Sequence, residues 1–165
     1  MIIAMLPLPL IANGKGFIRA LENAGALAVY APLEGGYEGR YQRRLRAHGY
    51  SSISLSARGL GDVGAYLMEV HGVRPAHLGK KNIAQEGAVG PIYFAQPMAG
   101  YQLDNLPPQS KGLVLWVLEG YILSQTEIQD LISLTKREPR LKIILEMGGD
   151  RVFRWQPLLD CLRAA

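Results

Sequence analysis

The chain has 165 residues, 48% of them hydrophobic and 19% charged, a composition that suits one folded domain and excludes a disordered chain or two independent cores. A single cysteine, Cys161, excludes an internal disulfide, and with only His48, His71 and His77 beside it there is no ligand set for an iron–sulfur cluster or a four-ligand zinc site. The net charge of +4, from twelve Arg and six Lys against nine Glu and five Asp, admits an acidic protein surface, anionic lipid or nucleic acid without choosing among them.

The first twelve residues, MIIAMLPLPLIA, are apolar, but they lack a basic start, contain Pro7 and Pro9 and run into Asn13-Gly14-Lys15-Gly16. They read as a variable or irregular extension, or an extra strand, rather than a signal peptide. Asn13 is placed to cap a helix from about Lys15 to Ala24, with Phe17, Ile18, Leu21 and Ala24 on one face and Gly25 as its stop. A strand from Leu27 to Ala31 ends at Pro32. Gly35-Gly36 opens a second helix, about Tyr37 to His48, and Gly49 closes it. Ser52 to Ser56 alternates with period two and reads as a strand. Asp62 begins a third helix reaching about His71, on which Leu60, Val63, Leu67 and Val70 share a side and Gly72 is the stop.

From Gly72 to Gly90 periodicity is lost, Ile92 to Ala95 forms a short strand, and Gln96 to Lys111, with Pro107-Pro108, is irregular again. Connections of that length are usually functional surfaces. The continuous apolar run Leu113 to Leu118 predicts a central strand covered on both faces. Ser124-Gln-Thr-Glu127 is a capping box that opens a helix burying Ile128, Leu131 and Ile132. Leu141 to Glu146 is the last strand, and Pro157 suits the first position of a final helix. The expected fold is therefore α/β: one domain over residues 1–165, with a largely parallel sheet of about five strands, helices packed on it and two long irregular segments. The longest apolar stretch, Gly112 to Leu123, is broken by Glu119 and falls short of the ~20 residues needed to span a bilayer.

Two segments carry candidate chemistry. Gly59-Leu-Gly61-Asp62-Val-Gly64 matches the dinucleotide pattern G-x-G-x-x-G after a strand and before a helix, which makes Gly59, Gly61 and Gly64 candidate cofactor contacts. Against it, Asp62 puts a carboxylate where a pyrophosphate would sit, and no acid ends a following strand near position 84. A turn with a helix cap explains the same residues. The second segment is the helix bearing Arg40, Arg43, Arg44 and Arg46, with Tyr37, Tyr41, Leu45 and His48 on its other side. This arrangement docks the apolar side on the core and turns the arginines outward. They form a solvated face, an interface for an acidic protein surface or, although no nucleic-acid motif surrounds them, a grip on the phosphates of a nucleic acid.

Glu69, His71 and His77 lack a recognised metal-ligand spacing, and His71 suits a helix C-terminus. No nucleophile elbow or Walker loop is present. Glu119, Glu146 and Asp150 follow or end strands, the position where α/β enzymes keep catalytic groups, but location is all they offer.

The phrases ENAGALAVYAPLEGGYEGRYQRRLRAHGY, ARGLGDVGAYLMEVHGVRPAHLGKK, LPPQSKGLVLWVLEGYILSQTEI and EPRLKIILEMGGDRVFRWQPL together resemble the N subunit of the photosynthetic NAD(P)H-quinone oxidoreductase, the complex-I-like enzyme of cyanobacteria and chloroplasts. The likeness runs from about Gly14 to Leu158. It implies an accessory, peripheral subunit of the hydrophilic arm, on the cytoplasmic or stromal side of the thylakoid membrane, touching the membrane only indirectly. Its implied partners are other hydrophilic-arm subunits. The complex it implies passes electrons through iron–sulfur clusters to plastoquinone and pumps protons, in cyclic and respiratory electron flow and carbon uptake. The resemblance also implies no redox centre, cofactor or active site of this chain's own.

Overall fold

A computed structural model describes residues 12–32, 37–58, 66–67, 71–73, 93–95 and 98–163. Helix α1 (Ala12–Ala24) and strand β1 (Ala26–Ala31) are separated only by Gly25, whose φ of +78° is the left-handed turn a helix stop requires. Its N–H donates to Leu21 O at 2.8 Å. Helix α2 (Tyr37–Ala47) ends at Gly49, φ +96°, and leads into β2 (Tyr50–Ser56). After β3 (His71–Val73), β4 (Tyr93–Ala95) and α3 (Met98–Asp104) come β5 (Gly112–Leu118), a short 3₁₀ turn at Gly120–Ile122, α4 (Gln125–Arg137), β6 (Leu141–Gly149), β7 (Arg154–Pro157) and α5 (Leu158–Arg163).

The main sheet has the order β2-β5-β6-β1-β7. β2 with β5, β5 with β6 and β6 with β1 are parallel, while β7 adds to β1 antiparallel. Because residue direction alternates along a strand, β5 sends Leu113, Leu115 and Val117 to one face and Val114 and Trp116 to the other, and all five are buried. Both faces are covered, which is why β5 is a continuous apolar run. On one face α4 contributes Ile128, Leu131, Ile132 and Leu134, joined by Ala99 and Leu103 of α3 and by Leu158. On the other, α1 and α2 supply Phe17, Ile18, Leu21, Tyr41 and Leu45. Each such large side chain taken from water stabilises the fold by about 1.5–3 kcal/mol before entropic costs.

α4 begins as its sequence dictates: Ser124 Oγ accepts from Glu127 N–H at 3.2 Å, and Ser124 N–H donates to the Glu127 carboxylate at 3.1 Å. Gly112 admits no side chain, since a Cβ there would lie 2.2 Å from the backbone oxygen of Arg140.

Six expectations need correction. α1 starts at Ala12, so Asn13 lies inside it rather than capping it. His71 opens β3, which pairs antiparallel with β4, so it is not a helix-terminal histidine, and the strand near Ile92 joins this separate ribbon rather than the main sheet. Gln96–Lys111 contains a helix, α3, too short to show a period. Pro157 closes β7 instead of opening α5, because it can occupy an edge strand without an unmade ladder bond. β7 itself is the fifth strand of the sheet, so the strand beginning at Leu141 is not the last. Of the third expected helix, Tyr66 and Leu67 are described and helical, His71 at its expected end is in β3, and the rest lies outside the described residues.

Candidate functional site

α2 is held down by Tyr41 and Leu45, both buried, with the Tyr41 ring stacked on Phe153 at 4.1 Å and set edge-on to Phe17 at 4.7 Å. Gln42 Nε2 donates to Ser54 Oγ at 2.6 Å and ties the helix to β2. With that side anchored, helical periodicity leaves Arg40, Arg43 and Arg46 exposed and Arg44 half-buried, its guanidinium carbon 6.0 Å from the centre of the Tyr41 ring. Arg44 and Arg46 also sit in the last turn, where the helix dipole favours cations. Arg40, Arg43 and Arg46 thus face solvent, while Arg44 leans back over the Tyr41 ring on the docked side. His48 departs from expectation: it is exposed in the turn after α2, its ring Nδ1 3.0 Å from Arg44 O.

The parallel strands β1, β2, β5 and β6 all end at one edge of the sheet. There Glu119 follows β5 in a left-handed conformation, φ 56°, ψ 35°, an unusual state for a residue with a side chain. Its Oε2 accepts from Arg58 Nε at 2.7 Å and Nη2 at 2.6 Å, and its Oε1 accepts from Ser56 Oγ at 3.2 Å. The hydrogen bond from Arg58, above all, holds the Glu119 carboxyl below the usual carboxylate range. Glu146 accepts from the buried Trp116 Nε1 at 3.0 Å. Asp150 accepts from Arg154 Nε and from Arg151 N–H, and its pKa is lowered, first by the Arg154 hydrogen bond. The three carboxylates singled out in the sequence are therefore occupied by neighbouring donors. Glu119 and Asp150 fix loops and Glu146 fixes a ring; the hydroxyl nearest to them, Ser56 Oγ, donates to a Glu119 carboxylate already held by Arg58.

Beside Asp150, the Arg154 guanidinium lies 3.8 Å from the Tyr30 ring centre, Gln156 Nε2 donates to Cys161 Sγ at 3.2 Å, and burial pushes the Tyr30 phenol up. Arg58 escaped the sequence reading, because its partner lies far along the chain and no local pattern marks the pair. Gly59, Gly61, Gly64, Glu69 and His77 lie outside the described residues, and of His71 only the backbone is described. Among the described residues, no group of three or more His, Cys, Asp or Glu could hold a metal ion, and no helix is long and apolar enough to cross a membrane. This arrangement suits recognition: a rigid sheet, an arginine face and a polar edge.

The family model described as NADH-quinone oxidoreductase cyanobacterial subunit N matches residues 8–160. The chain is 91% identical to the NAD(P)H-quinone oxidoreductase subunit N of Synechocystis sp. over 161 residues, 98% of this chain and 100% of that one. It is 69% identical to the subunit N of Rippkaea orientalis and 68% identical to that of Crocosphaera subtropica, each over 94% of this chain and 99% of the relative. The chain belongs to the cyanobacterial subunit N family of the NADH-quinone oxidoreductases.

Proposed function

We propose that this chain is an accessory peripheral subunit of the hydrophilic arm of the thylakoid NAD(P)H(ferredoxin)-plastoquinone oxidoreductase, on its cytoplasmic or stromal side. It supports assembly and stability of a proton-pumping complex used in cyclic and respiratory electron flow and carbon uptake. The observation that carries this reading is identity of 91% across the whole length of a relative that bears the subunit N name. The chain acts as a single domain over residues 1–165, and Arg40, Arg43, Arg44 and Arg46 form the interface to a neighbouring subunit. The complex's redox groups, iron–sulfur clusters and plastoquinone, are held by other chains; the membrane is reached only through them, and no nucleic acid is bound.

Deleting the gene tests the reading. Native gels of solubilised membranes should lose the full-size complex; a complex of unchanged size and abundance would overturn the assembly role. A Rossmann-like nucleotide-binding enzyme using Gly59, Gly61 and Gly64 is the competing reading. It requires NAD(P)H to quench Trp116 or Trp155 fluorescence of the purified chain, and a flat titration is expected.

A further inference from the structure

The two edges of the main sheet are built differently. β7 is four residues long and carries Arg154 and Pro157, two of the devices by which proteins keep an edge from pairing with a foreign strand. β2, at the opposite edge, is seven residues long, YSSISLS, with no charge and no proline. Its whole length is in straight register with β5, from Tyr50 opposite Gly112 to Ser56 opposite Leu118, with no bulge to twist it away. Alternate N–H and C=O groups of such a strand point away from the sheet. Among the described residues, no strand pairs with that side of β2.

The side chains fit an edge that is meant to be paired. Ile53 and Leu55 are only half-buried although they pack against the core cluster. Over this edge stands α2, tied to it by the bond from Gln42 to Ser54, with Arg43 and Arg46 exposed.

We infer that the outer edge of β2, beneath the arginine face of α2, is the docking site for an extended acidic segment of a neighbouring subunit, added to the sheet as a sixth strand. Main-chain bonds to β2 supply the affinity, and carboxylates set against Arg43 and Arg46 supply orientation and selectivity. The same charges disfavour a second copy of this chain, since pairing β2 with β2 would bring two arginine faces together. The inference rests on the subunit reading and adds to it the surface and the chemistry of the partner.

The test uses the tagged full-length chain, isolated and in the complex it recovers. Hydrogen–deuterium exchange is followed on peptides covering residues 50–57. In the complex, the outward amides of β2 should exchange at least about a hundredfold more slowly than in the isolated chain. In parallel, R43E/R46E should reduce recovery of the complex on the order of tenfold at an unchanged unfolding midpoint of the isolated chain, and R43K/R46K should restore most of it. If the complex is recovered but β2 exchanges equally fast in both states, edge docking is overturned and the subunit reading stands. Recovery of no complex removes both. Protection already complete in the isolated chain, or growing with its concentration, assigns the edge to this chain itself or to a second copy and also overturns the proposal.

Discussion

The two faces of the sheet solve the same packing problem with different materials. On the α1/α2 side the volume is concentrated in a few rings: Phe17 touches Tyr41, Phe153, Trp155 and Trp116 at centroid distances of 4.7 to 6.3 Å. On the α4 side it is divided among Leu, Ile, Val and Ala residues. Rings have preferred mutual geometries and, in Tyr and Trp, a polar tip that needs a partner, whereas aliphatic side chains interlock without direction. The ringed face answers that need with Trp116 Nε1 donating to Glu146 and Tyr50 Oη donating to Glu22 at 2.9 Å. A ringed face is therefore stiff and aims what stands on it, and α2 with its arginines stands on that face.

Cutting one large side chain from each face is the strongest way to break the comparison. Trp116→Ala should cost about 4 kcal/mol, since it opens a ring-sized cavity and strands Glu146, while Leu131→Ala should cost about 3 kcal/mol. Urea titrations measure both, and a larger loss for Leu131 would show that the aliphatic face dominates. A double-mutant cycle of Tyr41→Leu with Phe153→Leu should reveal a coupling of about 1 kcal/mol from their stacking; additive losses would reduce the pair to plain area burial. On the aliphatic side, Ser124→Ala removes the cap of α4 and should cost about 1 kcal/mol, read as a lower thermal midpoint.

An effect of the same size as the cap's is a matter of pH. Burial, and then the hydrogen bond to Glu22, push the Tyr50 phenol up to about 12, while an unfolded tyrosine ionises near 10. Between those values the unfolded state binds fewer protons, so this contribution to stability is fully present below about pH 10 and is lost as pH rises towards 12. After solvent screening the loss amounts to about 1 kcal/mol, and Tyr50→Phe should flatten it. An unchanged alkaline slope in Tyr50→Phe would detach the effect from this residue.

What was legible in the sequence is what local chemistry decides. The apolar run of β5, the capping box of α4, the glycine stops at Gly25 and Gly49 and the outward sweep of the α2 arginines all follow from periodicity or from one backbone requirement. What escaped depends on partners distant along the chain. Trp155-Gln156-Pro157 is a strand only because β1 offers it an edge, and no alternation in so short a segment announces that. The Arg58–Glu119 pair needs β2 and β5 in register before either side chain has a neighbour. The difference between a guarded and an unguarded sheet edge likewise exists only once strand order is known.

Strand order also sets a timetable for synthesis. β1 leaves the ribosome well before its partners, since Ala26 is matched to Ile143 and Tyr30 to Arg154. At about 5–20 residues per second the apolar segment ALAVYA waits on the order of ten seconds before its neighbours exist. During that interval it is an apolar ribbon with both sides open, and a chain released early leaves it without a mate. The sheet closes only after β6 and β7 have been made, so β1 finds its mates late in folding.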